Sequence, residues 1–377
     1  MKWAGSFSLF IFILISSIAF SFVKPFEDYK TLDIGEAAPD FKLPGVDGKT
    51  YSLSSFKQAN ILAIIFTCNH CPTAQAYEDR IIQLTKDYRN KGVAVVAISP
   101  NDPKSVSLNE LGYTELSDSF AEMKIRSKQK GFNFPYLYDG ATQSVSKAYG
   151  PVATPHIFIF DKNRKLRYQG RIDDTEKPGK TPVSPDAYNA IEALLKNKEV
   201  PVSATKVFGC SIKWAEKKEV VQKIYENWAN EPVHVEMIDE AGLKDLLKNN
   251  SDKLRLINIW ATWCGPCITE FPDLITINRM YRGRDFELIT VSADSPDKKE
   301  KVLKFLKKQQ ASNTNYLFSV DDKYKLIDII DPKWPGALPY SILLEPGGKI
   351  VYAKQGAINL SDMKKKIVEN HLIGRYY

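Results

Sequence analysis

The sequence predicts an α/β protein that uses one strand–helix pattern twice, each copy a sheet with helices on both faces. Three observations carry this. Short β-branched runs alternate with helix-like stretches past residue 33, the signature of a sandwiched sheet. Their order repeats as strand, CxxC, helix, strand, helix, proline-led hairpin and last helix. The length of 377 residues, with 44% hydrophobic and 11% aromatic content, suits two or three ordinary domains with a core each. A disordered or fibrous chain is thereby excluded.

Residues 1–23 stand apart from the repeat. Lys2 precedes an apolar run from Phe7 to Phe20, and Ala19-Phe20-Ser21 offers small residues for a signal peptidase. A cleaved secretory signal is one reading. An uncleaved N-terminal membrane anchor is the other, because the run approaches the length of a short span. No cysteine follows the run to carry a lipid. Both readings expect an extracytoplasmic protein, periplasmic or secreted, where disulfide chemistry operates.

The first copy, residues 33–197, runs through strand Ile61–Phe66, TCNHCPT, a helix over Ala74–Tyr88 and strand Val93–Ser99. FPYLYDG, a helical SVSKAYG, VATPHIFIFD, the turn DKNRK and strand Leu166–Gly170 follow. The second copy, residues 233–377, runs Leu254–Trp260, TWCGPCIT, a helix over Glu270–Tyr281 and strand Phe286–Ser292. It closes with NYLFSVDDKYKLIDII, ALPYSILLEP, a GGK turn and strand Ile350–Ala353. The first copy is longer because Ser105–Gly131 inserts a polar segment expected to be helical. Residues 198–232 form a connector containing Cys210 and a helical run Ala215–Asn230, too apolar for a plain linker. It is expected to pack on the first copy or between the two.

The net charge of +7 is spread among many acidic residues and makes no case for nucleic acid. Lysine-rich stretches such as Lys298–Lys308 read as solvated helix faces. Five cysteines are too few for a disulfide scaffold. Zinc is a poor reading of the two CxxC pairs, since zinc ribbons bring their pairs close in sequence and these lie in separate copies. A purely structural disulfide is also poor, because so small a loop removes little unfolded-state entropy.

Redox exchange has a direct basis. The first cysteine of each pair, Cys68 and Cys264, is expected at a helix N-terminus, where free N–H groups and the helix dipole favour a thiolate. That thiolate attacks a disulfide, and Cys71 or Cys267 resolves the mixed disulfide.

With these residues in place, both copies resemble thioredoxin-like domains, which implies a central mixed sheet in each. The second is similar to the TlpA/ResA group of thiol-disulfide oxidoreductases, through Trp263-Cys264-Gly265-Pro266-Cys267, Glu270, Pro272 and Pro339. The first resembles the redoxin (AhpC/TSA-like) branch, through GEAAPDFKLPGVDGKTYSL at 35–53 and FTCNHCP at 66–72. The resemblance implies that Pro155, after Thr154, and Pro339, after Leu338, are cis-prolines beside the active sites. With Trp263 these four residues would contact substrate. It also implies that Glu270, on the helix face of Cys267, is an acid accepting its proton; a solvent-facing glutamate is the alternative.

The two pairs are expected to differ. His70 can stabilise the Cys68 thiolate and make that disulfide more oxidising, or be a loop histidine without a tuning role. Cys71-Pro72-Thr73 echoes the peroxiredoxin loop and keeps thiol peroxidase chemistry open. A copper carrier or a non-catalytic binding module is a further alternative, with His156 as the candidate third copper ligand. Cys210 is either an inert buried thiol, a resolving partner for Cys68 or a carrier of electrons between the copies. The expected chemistry needs no metal or organic cofactor. The expected partners are protein thiols or disulfides, or a membrane-linked electron donor.

Overall fold

The computed structural model describes residues 29–175, 177 and 180–374, so the signal or anchor expected at 1–23 lies outside the described residues. The first half contains β1 (Lys42–Pro44), β2 (Thr50–Ser52), β3 (Ile61–Phe66), α1 (Pro72–Tyr88), β4 (Val93–Ser99) and α2 (Phe120–Lys130). It continues with β5 (Tyr136–Tyr138), α3 (Ser144–Tyr149), β6 (Ala153–Thr154), β7 (His156–Phe160), β8 (Leu166–Gly170) and α4 (Asp186–Leu195). The connector carries β9 (Cys210–Ser211) and α5 (Lys218–Ala229). The second half contains β10 (Glu236–Ile238), α6 (Glu240–Lys248), β11 (Leu254–Trp260), α7 (Gly265–Tyr281), β12 (Phe286–Ser292) and α8 (Lys299–Lys308). It ends with β13 (Thr314–Phe318), α9 (Lys323–Ile330), β14 (Tyr340–Glu345), β15 (Lys349–Gln355) and α10 (Leu360–Glu369).

Each half has its own mixed sheet. The first is ordered β5-β4-β3-β7-β8, with β3, β4 and β5 parallel and β7 and β8 antiparallel. The second is ordered β10-β13-β12-β11-β14-β15, the same plan with one more parallel strand at the edge. The central strand β3, ILAIIF, is buried on both faces, as a continuous apolar run between parallel neighbours should be. Its side chains alternate. Ile61, Ala63 and Ile65 pack with Tyr77, Ile81 and Leu84 of α1, while Leu62, Ile64 and Phe66 join Tyr149 on the opposite face. In β11, Leu254, Leu256 and Trp260 face α7, and Ile257 and Ile259 face the other layer.

Both long helices begin earlier than the apolar pattern suggests. α1 starts at Pro72 and α7 at Gly265, followed by Pro266. Proline is tolerated in a first turn, where its missing N–H has no intrahelical acceptor to serve. The prolines therefore open these helices.

The insertion departs from expectation. A 3₁₀ turn, Pro103–Ser105, leads into it, its first part forms a second, Leu108–Leu111, and only Phe120–Lys130 is α-helical. Val106 and Leu111 belong to the core formed by α7 of the second half. Tyr281 OH donates to Thr114 O at 3.1 Å, and Arg284 Nη1 donates to Gly112 O at 2.9 Å. Apolar residues spaced too irregularly for a helix stripe are here used to join the halves.

The connector packs against both halves. Gln169 N donates to Ser203 O and Thr205 N donates back to Gln169 O, at 3.0 and 3.1 Å, so the chain runs along β8. It then crosses to pair β9 with β6, and Lys213 N donates to Asn101 Oδ1 at 2.9 Å. Beyond α5, Glu231 accepts both guanidinium nitrogens of Arg282, at 2.7 and 2.8 Å.

Candidate functional site

The two CxxC pairs follow the buried central strands of their sheets, yet their surroundings differ. In the first half, residues Thr67 to Cys71 are buried without a break, Cys68 at 3% and Cys71 at 0% exposure. Two segments distant in sequence enclose them: the insertion, through Ser117 and Asp118, and the connector, through Cys210.

The helix N-cap here is Cys71. Its Sγ accepts the Ala74 N–H at 3.4 Å, and Pro72 takes the first helical position. This corrects the expectation that Cys68 stands at the helix N-terminus. With proline at the first helical position, the residue before it must cap, and that residue is the second cysteine. Cys68 Sγ instead lies 3.2 Å from Thr154 Oγ1. Burial pushes the Cys71 thiol up, but it is outweighed by the Cys210 and Cys68 thiol donors, the His70 charge and the Ala74 N–H, which hold it well below the usual range. Cys68 is held well above that range by burial and by its hydrogen bond to Cys71.

His70 stands near both cysteines: its ring, Cys68 Sγ and an Asp118 oxygen lie within 4.8 Å of one another, and its charge helps lower the Cys71 thiol. Its Nδ1 lies 2.5 Å from Asp118 Oδ2, and its Nε2 has no hydrogen-bond partner among the described residues. Burial alone would lower the imidazole; the Asp118 carboxylate overrides it and raises His70 above its ordinary value. Asp118 also accepts the N–H groups of Asn69 and His70, at 2.8 and 3.0 Å, and Asn101 Nδ2 at 2.7 Å. Burial raises this carboxyl, but His70 and these donors outweigh it and keep Asp118 below its usual range.

The Thr154–Pro155 peptide is cis, and Thr154 O lies 3.4 Å from Cys71 Sγ. The peptide edge at Thr154 is occupied, because Thr154 pairs antiparallel with Cys210. Cys210 is half-buried and packs against the cluster formed by Cys68, Cys71 and Ala74, and its thiol helps to lower Cys71. The copper reading loses its third ligand: His156 Nδ1 accepts from Val152 N at 3.3 Å and Nε2 bonds Gln169 Oε1 at 2.8 Å. Burial pushes that imidazole down to about 4. Cys68, His70 and Asp118 do place potential metal-ligating atoms within 4.8 Å of one another. Asp118 and His70 Nδ1 are, however, already committed to each other and to the loop.

In the second centre Cys264 and Cys267 are buried, at 5% and 0% exposure, but the loop residues around them face solvent. Cys264 caps α7 and is disulfide-bonded to Cys267. Trp263 is 65% exposed, and Gly265, Pro266 and Ile268 face solvent around the pair. Asp294 fixes the loop by accepting Thr262 N at 2.8 Å and Thr262 Oγ1 at 2.5 Å. The Leu338–Pro339 peptide is cis. Among the described residues no strand pairs with Leu338, and Ala337 beside it is exposed. Glu270 is not solvent-facing. It is buried one turn along α7 from Cys267, with Oε1 accepting Asn258 Nδ2 at 2.9 Å and Oε2 accepting Ile358 N at 2.8 Å. Burial raises its carboxyl above the ordinary value despite those two donors.

Asp118, Asn101, Asn258 and Asp294 escaped the sequence reading. Only Asn258 had a signal there, as a polar residue inside an otherwise apolar central strand.

Comparison with known proteins places these centres in a family. The family model described as AhpC/TSA matches residues 34–169, and that described as Redoxin matches 236–370. The thiol-disulfide oxidoreductase ResA of Geobacillus thermodenitrificans is 25% identical over 163 residues, spanning 42% of this chain and 82% of that protein. A hypothetical protein, SMc02350, from Sinorhizobium meliloti is 35% identical over 49% of this chain and 97% of its own, with a TM-score of 0.44. An uncharacterized conserved protein from Geobacillus kaustophilus is 39% identical over 48% of this chain and 92% of its own, with a TM-score of 0.43. The chain carries an AhpC/TSA-family domain and a Redoxin-family domain in tandem and is related to the ResA thiol-disulfide oxidoreductases.

Proposed function

We propose that the protein is an extracytoplasmic thiol-disulfide oxidoreductase with two CxxC centres, of which Cys264–Cys267 exchanges disulfides with external protein thiols. The observation that carries this reading is the exposed rim around the second pair. A helix-capping cysteine stands beside an exposed indole and an unpaired peptide edge at Leu338, where an extended substrate strand can lie against Pro339. In the reducing direction the Cys264 thiolate attacks a substrate disulfide, one substrate sulfur leaves as a thiolate, and Cys267 then displaces the second. Glu270, in the raised state that burial gives it, takes the Cys267 proton for that second step.

At the first centre, Cys71 is the nucleophile and Cys68 its partner, with His70 and Asp118 holding the negative charge. Peroxide reduction at Cys71 is a second reading, supported by a low-lying thiolate shielded from large substrates. Peroxide consumption that requires Cys71 would select it.

The test is a mixed-disulfide trap with full-length Cys267→Ser and Cys68→Ser variants. The first is expected to hold protein partners through Cys264, and Cys264→Ser to abolish the capture. Loss of all capture from Cys267→Ser would remove the oxidoreductase reading of the second centre. The N-terminal segment and the kinship with ResA support the extracytoplasmic location. Secretion with or without cleavage is read by N-terminal sequencing of the exported protein.

A further inference from the structure

The proposed redox reading leaves one structural fact unused: the first centre contains three cysteines, and its substrate position is filled by the chain itself. β9 pairs with β6 through Thr154↔Cys210 and Ala153↔Ser211, immediately before cis-Pro155. In the second half the corresponding edge at Leu338 carries no strand among the described residues. Gly209 makes the docking sterically possible. A Cβ there would lie 2.0 Å from Thr154 O, and its φ of +149° lies where side chains are strained. The approach ends with the Cys210 thiol against Cys71, in a cluster formed by Cys68, Cys71 and Ala74.

We infer that Cys210 is the built-in exchange partner of the first centre, a tethered substrate that moves the disulfide from the buried Cys68–Cys71 pair to a half-exposed thiol. This rests on the redox reading of that pair and names its immediate partner. In the step, the Cys210 thiolate attacks Cys71 Sγ. The Cys71–Cys210 bond forms, the Cys68–Cys71 bond breaks, and Cys68 leaves as a thiolate that takes up the proton Cys210 gave up. No external oxidant or reductant enters. Cys71 is taken as the shared member because Cys210 packs on the cluster it forms with Cys68 and Ala74, and both other thiols help to lower it. The product disulfide includes the cysteine with the greatest exposure of the three, where an outside thiol can reach it.

The test uses the full-length chain carrying Cys264→Ser and Cys267→Ser, oxidised with diamide, quenched in acid and digested with trypsin. Cys68 and Cys71 lie in one tryptic peptide, 58–80, and Cys210 in another, 207–213. Adding Cys68→Ser is expected to join the two peptides within a monomer, and Cys68→Ala to do the same. If Cys71 and Cys210 stay alkylatable in both variants, or link only between molecules, the relay is overturned. A kinetic measurement bears on it separately. Glutathione is expected to reduce the oxidised first pair at least ~10-fold more slowly in Cys210→Ser than in the parent. Equal rates would also overturn the relay. A parent chain that never forms Cys68–Cys71 under diamide removes the redox reading of the first centre itself, a different failure from a pair that forms but does not pass on.

Discussion

The two halves place the same four-residue cysteine loop after equivalent strands, β3 and β11, yet one loop is enclosed and the other is on the surface. In the first half, Thr67 to Cys71 are covered by the insertion and by β9. In the second, Trp263, Gly265 and Pro266 face solvent, and the edge beside Pro339 is unpaired among the described residues. The sheet, the long helix and the cis-proline are common to both, so they cannot account for the difference. It comes from the two segments that have no counterpart in the second half. A fold of this kind supplies a helix N-terminus and a peptide edge, and what covers them decides which sulfur is reactive and what can reach it.

The largest break in the comparison is expected from Asp118→Ala. That change leaves His70 and three N–H donors unpaired inside the protein, and removing one partner of a buried ion pair costs about 3–5 kcal/mol. Asp294→Ala at the second centre removes hydrogen bonds to a neutral threonine and is expected to cost about 1–3 kcal/mol. Urea unfolding of the two full-length variants measures both; an equal cost would mean that the His70 charge contributes nothing. The milder Asp118→Asn tests the pH window. His70 is raised in the folded protein, so its contribution is complete below its unfolded value of 6.5 and is lost as pH rises through the folded value. Asp118 is lowered, so its contribution is present above 3.8 and is lost as pH falls through the folded value. The stability gap between the native chain and Asp118→Asn should therefore be widest between those limits. A gap that does not vary with pH would break this account.

Gly209→Ala is next in size. The added methyl collides with Thr154 O and should lift β9 from the peptide edge. Backbone strain of about 1–3 kcal/mol corresponds to roughly 5–150-fold in the opening equilibrium. Iodoacetamide labelling of Cys71 in the reduced, native chain should accelerate by a factor in that range, while labelling of Cys264 stays as it was. If both rates are unchanged, β9 is not the cover.

Much of this arrangement was legible from residues alone, and its limits have physical causes. β3, β4, β8, β11 and β12 fall where the β-branched runs predicted them, because a buried strand is read from its own side chains. The two cis-prolines, Pro155 and Pro339, were anticipated only through the family resemblance, since their position before a hairpin strand does not fix the isomer. The choice between Cys68 and Cys71 was also readable: in CNHCP the proline follows the second cysteine, whereas in CGPC it lies between them. Proline's place in the first turn thus marks a different cap in each half. Asp118 was not legible, since nothing in its spacing from His70 reports a contact made by a long insertion folding back. The same holds for Cys210, which reaches Cys71 only because the connector is pinned along β8. Pairings made by non-local loops leave little periodic trace.

The smallest expected effect concerns Glu270, and it separates a buried acid from a merely structural one. Burial raises its carboxyl in the folded chain above the ordinary 4.5, so the folded state holds a proton that the unfolded state has already lost. Stability contributed by the neutral form is complete below 4.5 and declines as pH rises through the folded value. The slope is at most about 1.4 kcal/mol per pH unit. Glu270→Gln keeps an acceptor for Asn258 but turns an amide toward Ile358 N, so its absolute stability mixes two effects. The pH dependence does not mix them. The stability of the native chain relative to the variant should therefore fall as pH rises above 4.5, while the first centre's response to Asp118→Asn stays the same. A difference between the two that does not vary with pH would remove the raised carboxyl from Glu270. The same variant should slow release of a trapped Cys264 mixed disulfide where Cys267 needs a proton acceptor, and leave the labelling rate of Cys71 unaltered.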